Sequence, residues 1–340
     1  MMKLIIDVMG GDNAPDAVLE ACAAARDEFP EVEFILVGKS DVIKQRTEAL
    51  GIAPKLSGCT VEDAPDEITM CDEPISVRHK KDSSMAVALR LLKEGQGDAL
   101  VSAGNTGALL VGATLFVRCI DGIKRAALCP MFPTKTGKMM IVDSGANLDC
   151  KPEMLNQFAV MGSEYMRCME GLESPRVGLA NNGEEETKGP ELYVEAYKLL
   201  KANKNINFIG NVEGRGVMMG QCDVLVCDGF TGNLILKSCE GTGLLFIGEL
   251  KDIFYKNLIT KLGAALVYKG LKQFKKRMDY KEIGGAVLLG IRKPVVKAHG
   301  SSDARAYRSA IRQAVNFARA GVIDRISAVA ATLSDAGKAE

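Results

Sequence analysis

Glycine grouped with Asn, Asp, Ser or Thr recurs where apolar runs of this chain end, and that combination suits the binding of an anion. The groups are Asp7-Val8-Met9-Gly10-Gly11-Asp12-Asn13-Ala14-Pro15, Ser102-Ala103-Gly104-Asn105-Thr106-Gly107, Asp143-Ser144-Gly145-Ala146-Asn147, Asn181 to Gly189, and Asp228-Gly229-Phe230-Thr231-Gly232-Asn233. Small residues let backbone N–H groups approach a phosphate or oxyanion, and the strand-end loops of a parallel α/β sheet converge on one crevice. The expected chemistry is therefore that of an enzyme handling phosphate or a developing oxyanion.

Charged candidates lie in or near these loops. Lys188 closes the acidic run Glu184-Glu185-Glu186, where it can contact phosphate or simply pair with the glutamates. Those glutamates can ligate magnesium, although a run of like charges is more often a solvated loop. His299, one of two histidines, lies between a strand end and a helix capped by Ser302 or Asp303. There an imidazole acts as donor or general acid, or as a hydrogen-bonded structural group. His79 sits among Arg78, Lys80 and Lys81 on a solvated stretch. No G-x-S-x-G elbow occurs, which argues against a hydrolase triad. The segment Gly214-Arg215-Gly216-Val217-Met218-Met219-Gly220 looks like a dinucleotide fingerprint, but the helix after it is too short to hold a pyrophosphate, and a Walker A lysine is absent.

Alternating apolar and helical patterns must position these loops. Strands are expected at Leu4 to Val8, Phe34 to Val37, Thr60 to Glu62 and Ala99 to Ser102, with helices over Ala17 to Glu28, Asp41 to Leu50, Ser83 to Glu94 and Thr106 to Val117. Asp12 or Asn13 is the expected cap of the first helix and Ser40 of the second. Ala126 to Phe132 and Lys138 to Asp143 are joined too tightly for a parallel crossover, so an antiparallel hairpin interrupts a mainly parallel sheet. Alternation resumes through Pro152 to Met169, Val177 to Leu179, Leu192 to Lys201, Phe208 to Gly210 and Val224 to Cys227. A long helical stretch, strands at Ala286 to Ile291 and Val295 to Lys297, and a helical end follow. One interwoven α/β domain spans residues 1–340, with helices on both sheet faces.

Composition narrows the class. The 43 Lys and Arg balance 43 Asp and Glu, so no global field recruits nucleic acid. Ten cysteines lack zinc spacing and any C-x-x-C pair, and the first residues run straight into a strand, so reduced thiols in a cytoplasmic protein without a metal are expected. Cys227, next to Asp228, is a possible covalent nucleophile, but it ends an apolar strand where nothing lowers its pKa.

Taken in order, the loops above, with Phe208-Ile209-Gly210-Asn211-Val212-Glu213-Gly214-Arg215 and Ala298-His299-Gly300-Ser301-Ser302, resemble the bacterial phosphate acyltransferases of the PlsX type over nearly the whole chain. The resemblance implies transfer of a fatty acyl group from acyl-[acyl carrier protein] to inorganic phosphate, giving acyl phosphate for phospholipid synthesis. It also implies a homodimer with a three-layer α/β/α sandwich similar to phosphotransacetylases and isocitrate dehydrogenases, without a nicotinamide cofactor. Lys188, Arg215, Asn233 and His299 are the expected catalytic groups. Gly10, Gly11, Asn13, Ser102, Gly104, Asn105, Thr106, Asn211, Thr231 and Ser301 are the expected substrate-binding ones. A nicotinamide-dependent dehydrogenase on a related fold, or a non-catalytic lipid-metabolism scaffold, are the competing readings.

Residues 250–280 form an expected protrusion. Leu250, Phe254, Leu258 and Leu262 repeat at helical spacing, as do Leu271, Phe274 and Met278, and Gly263 and Gly270 can break the helix between. Lysines flank the apolar series, which suits peripheral binding to an anionic membrane at the inner face. Packing against the sheet or a dimer partner is the plainer alternative.

Overall fold

Residues 1–278 and 284–336 are described by the computed structural model. The chain opens with β1 (Met2–Asp7), α1 (Asp16–Glu28), β2 (Val32–Gly38), α2 (Ser40–Ala49), α3 (Ala53–Leu56) and β3 (Thr60–Asp63). Next come α4 (Ser76–His79), α5 (Ser84–Lys93), β4 (Ala99–Ser102) and α6 (Thr106–Gly112), which widens into a π turn over Ala113–Val117. The hairpin β5 (Ala127–Pro133) and β6 (Lys138–Val142) precedes α7 (Pro152–Glu170), β7 (Arg176–Asn181), α8 (Glu191–Ala202), β8 (Asn207–Glu213), α9 (Gly214–Met219) and β9 (Val224–Val226). The long α10 (Gly229–Tyr255), α11 (Leu258–Leu266) and α12 (Tyr268–Met278) lead to β10 (Ala286–Leu289), β11 (Val295–Lys297), α13 (Ala304–Arg319) and α14 (Val322–Ala336).

All strands join one sheet in the order β3-β2-β1-β4-β11-β10-β5-β6-β9-β7-β8. Side chains on alternate sides of a strand enter different cores. Leu4 and Ile6 of β1 pack with α1, α7 and α13, whereas Ile5 packs with α5 and α6 on the other face. A smaller core joins Met139 and Ile141 of β6 to Ile235 and Leu236 of α10. The result is the expected three layers around a mixed, mostly parallel sheet.

Strand direction corrects one expectation. The neighbours β3-β2-β1-β4-β11 are mutually parallel, β10 is antiparallel to β11 and to β5, and β5 is antiparallel to β6, which is parallel to β9, β7 and β8. The two parallel halves therefore point in opposite directions, so the five loops do not all follow strands that run the same way.

Local caps differ as well. Neither Asp12 nor Asn13 caps α1, whose first turn follows Pro15 without a side-chain bond. Ser40 is the first residue of α2 rather than its cap, and its N–H donates to Asp63 Oδ1 at 3.0 Å. In the 250–280 region one break falls at Asn257, whose side chain and that of Thr260 form a reciprocal capping box, and a second falls at Val267, between the two apolar series as expected, although Gly263 and Gly270 themselves lie inside helices. Leu258, Ile259, Leu262 and Leu266 are exposed on α11. The side chains of Lys275, Lys276, Arg277 and Met278 lie outside the described residues. Among the described residues no helix is long and apolar enough to cross a membrane.

Candidate active site

Adjacent parallel strands end in a row of polar side chains. Lys297 of β11 pairs in register with Ser102 of β4, and Asp7 stands beside Ser102 at the end of β1. Ser102 Oγ donates to Asp7 Oδ2 at 2.6 Å and accepts the Gly104 N–H at 3.1 Å. Burial pushes the Asp7 carboxyl above its ordinary range, partly offset by the Ser102 hydrogen bond. Lys297 is 7% exposed, and its Nζ donates to the carbonyls of Ala103 at 3.1 Å and Ala298 at 2.5 Å.

The loop after β11 is tied to the loop after β1. Asp12 N–H donates to Gly300 O at 2.8 Å, and the Asn13 side-chain amide donates to the carbonyls of Ser301 and Ser302 at 3.3 and 3.1 Å. A side chain at Gly10 would meet the backbone nitrogen of Gly104 at 2.6 Å, so the close approach of the first and second loops requires glycine there. His299 Nδ1 lies 2.9 Å from Ser301 Oγ and accepts the Ser301 N–H at 3.3 Å. A backbone N–H only donates, so Nδ1 is unprotonated and the neutral ring carries its proton on Nε2. Burial, and then Lys237, lower the His299 pKa and favour that neutral form.

Across β5 the wall comes from the opposite half of the sheet. Asp143 is buried at the end of β6, where it accepts the N–H groups of Leu128, Ser144, Ala146 and Asn147 and so shapes the Ser144–Gly145 turn. Asp228 caps α10 by accepting the Thr231 N–H at 2.9 Å, and it is held in turn by the Tyr193 hydroxyl. The helix packs so closely that a Cβ on Gly232 would lie 1.9 Å from the Asp143 carbonyl. This contact sets Asn233, Leu236, Lys237 and Glu240 over the strand.

Between the walls lies a crevice of about 460 Å³. Its lining is mixed: Lys297, His299, Ser301, Asp12, Asn233, Lys237 and Glu240 are polar, and Leu128, Met131, Phe132 and Leu236 are apolar. Such a lining suits a ligand that carries both a charged group and a hydrocarbon. Among the described residues no cluster of His, Cys, Asp and Glu is grouped to hold a metal ion.

Of the residues singled out from sequence, Thr106, Asn233, His299 and Ser301 line this crevice. Gly10, Gly11, Asn13, Ser102 and Gly104 build the loops beneath it. Asn105 is committed elsewhere: it caps α6 through Ala108 N–H, and its amide donates to the carbonyls of Thr69, Met70 and Asp72. Thr231 bonds to Asp228 through both its N–H and its hydroxyl. Lys188 is exposed on the loop after β7, and Glu186 of that loop pairs with Lys201 at 2.6 Å. Arg215 is exposed and pairs with Glu213 at 2.9 Å, while the Asn211 amide donates to Glu185 O. Lys188 after β7, Asn211 on β8 and Arg215 after β8 thus belong to strands beyond β9 in the sheet and do not line the crevice. Cys227 is buried, and burial raises its thiol pKa well above the ordinary value.

Lys297 and Lys237 escaped sequence reading. Val295-Val296-Lys297-Ala298 reads as the end of an apolar strand, where a lysine ordinarily reaches solvent. Its position just before the His299 loop was the available signal.

A family model described as "Fatty acid synthesis protein" matches residues 2–325. A phosphate acyltransferase of Thermoanaerobacterium thermosaccharolyticum is 47% identical over 326 residues, covering 96% of this chain and 96% of that protein. Another, from Thermoanaerobacter pseudethanolicus, is 47% identical over 335 residues, covering 98% and 99%. In fold, a phosphotransacetylase from Streptococcus pyogenes aligns with a TM-score of 0.63 at 18% identity, covering 94% of each chain.

Proposed function

This chain belongs to the fatty acid synthesis protein family, the PlsX-type phosphate acyltransferases, and we propose from that premise that it moves a fatty acyl group from acyl-[acyl carrier protein] to inorganic phosphate. A phosphate oxygen bonds to the thioester carbonyl carbon, the C–S bond breaks, and the products are acyl phosphate and the carrier thiol. The observation that carries this reading is the mixed lining of one crevice, with Lys297, His299 and Ser301 among its polar groups and Leu128, Met131, Phe132 and Leu236 among its apolar ones. Those apolar groups suit the first part of an acyl chain, and the polar groups suit phosphate and the developing oxyanion.

Donors aimed at charge that develops only in the transition state accelerate such a step. Asn233, Ser301 and the neutral His299 serve as those donors. The departing thiol has a reference pKa of about 8.5, so it leaves without a strong acid. Lys188 and Arg215, with Asn211, act as further charge and amide partners from the loops after β7 and β8. The enzyme works as a homodimer whose partner covers the exposed Leu244, Leu245 and Phe246 of α10. Exposed Leu258, Ile259 and Leu262, flanked by Lys256 and Lys261, attach the protein peripherally to the anionic inner face of the cytoplasmic membrane, where the acyl phosphate is delivered.

The test is incubation with acyl-[acyl carrier protein] with and without phosphate. Phosphate-dependent loss of the thioester, with a hydroxylamine-trappable product and no effect of chelator or nicotinamide, is the expected result. Equal turnover without phosphate overturns the reading.

A further inference from the structure

Lys297 is the cation on which the crevice closes. It comes from the strand next to β4, at the C-terminal end of the parallel half, where α/β sheets bind anions. Carbonyls take two of the three ammonium donors, and among the described residues no carboxylate lies within ion-pair distance of Nζ. Asp7, the nearby buried acid, turns Oδ2 toward Ser102. Asp12 stands on the first loop, hydrogen-bonded through its backbone to Gly300. Taking a cation out of water is costly unless an opposite charge meets it; Asp7 and Asp12 act on it from nearby without touching Nζ, and the crevice is where an anion can make direct contact.

We propose that Lys297 is the phosphate-binding cation of the reaction, its ammonium contacting phosphate oxygens from the floor of the crevice and so setting specificity for a dianionic acceptor. The inference rests on the acyl-transfer reading above and adds to it the residue that recognises phosphate. A purely structural lysine is the alternative, and it predicts no change in phosphate affinity when a chain of similar shape replaces it. Placement favours the anion role. Lys188 and Arg215 are exposed and do not line the crevice, whereas Lys297 lines it from a buried position where each unit of charge counts for more.

Charge around the site fixes the pH behaviour. Burial draws the Lys297 ammonium down to about 8, against the opposing pull of Asp7 and Asp12. His299 lines the same crevice, with Lys237 and Glu240 of α10 acting on it in turn. Free phosphate is already dianionic above neutrality. Loss of affinity on raising the pH through 8 and beyond therefore reports the lysine rather than the ligand.

The experiment measures inorganic phosphate binding by calorimetry on the full chain, beside the KM values for phosphate and for the acyl donor. For Lys297→Met the expected result is phosphate affinity weakened about 30-fold, the size of one charge-assisted hydrogen bond, with the KM for the acyl donor unchanged. Unchanged phosphate affinity in folded Lys297→Met overturns the inference while leaving acyl transfer to phosphate intact. If the wild-type protein neither binds phosphate nor needs it for turnover, the functional reading falls and the inference with it. Should Lys297→Met fail to fold, wild-type affinity measured from pH 7 to 10 decides: a fall approaching tenfold per pH unit supports Lys297, and a flat profile overturns it.

Discussion

The Ser102 hydroxyl donates to Asp7 Oδ2 at 2.6 Å with both side chains buried, so a single hydrogen bond joins the ends of β1 and β4 beneath the crevice. Removing it leaves a buried carboxyl without this partner. Ser102→Ala should cost about 1–3 kcal/mol, read as a lower denaturant midpoint with an unchanged slope. The pH dependence of Asp7 follows from its raised pKa. Below the unfolded value of about 3.9 both states are protonated and no cost appears. As pH rises, the unfolded chain ionises first, so stability is lost through the folded-state pKa. Asp7→Asn should therefore lose less stability than wild type between pH 4 and pH 8.

His299 carries the opposite dependence. Its folded pKa is lowered by burial, so the unfolded chain takes up a proton first as pH falls below about 6.5. Stability contributed by the neutral ring is present above that value and is lost toward acid, where protonation of Nδ1 also opposes the Ser301 N–H. Melting curves from pH 8 to pH 5 should fall less steeply for His299→Gln than for wild type. Parallel curves would remove this group from the acid limb.

Gly232 and Gly248 lie in the same helix but in different surroundings. A Cβ at 232 meets the Asp143 carbonyl at 1.9 Å, whereas nothing lies within 4 Å of one at 248. Gly232→Ala should destabilise by about 1–3 kcal/mol and depress turnover by displacing Asn233. Gly248→Ala should stabilise by about 0.5–1 kcal/mol through its effect on the unfolded chain and on helix propensity. Chemical denaturation of both variants gives the comparison.

Lys188 tests whether the loop after β7 reaches the reacting atoms. If its ammonium stabilises the transition state, Lys188→Ala should lower kcat by about 100-fold, and Lys188→Arg should restore little because a planar fork replaces a compact charge. Normal turnover in a folded Lys188→Ala protein returns this lysine to a solvated loop.

Leu258, Ile259 and Leu262 are 84%, 83% and 69% exposed, a patch that needs a cover. Replacing all three with Ser should abolish salt-sensitive flotation with anionic vesicles, while phosphate-dependent turnover on the carrier-protein thioester survives. Wild-type protein that never floats, or floats equally with zwitterionic vesicles, would reassign this face to protein contacts.

Sequence by itself determined the family, the layered mixed sheet, the hairpin of β5 and β6, and Asp303 as one of two candidate caps of α13, because each is written in local order or in motifs. Period and turn chemistry specify elements within a few residues. They do not specify which strands become neighbours or which way each points, and here the order and reversal of the strands bring Asn233 and Ser144 to the crevice that His299 and Ser301 line, whereas Lys188, Asn211 and Arg215, on or after the outer strands β7 and β8, do not line it. Burial of Lys297 was likewise illegible. A lysine at a strand end is ordinarily solvated, and only the pairing of β11 with β4 and the packing of the first loop against residues 300–302 enclose it and aim its charge at the crevice.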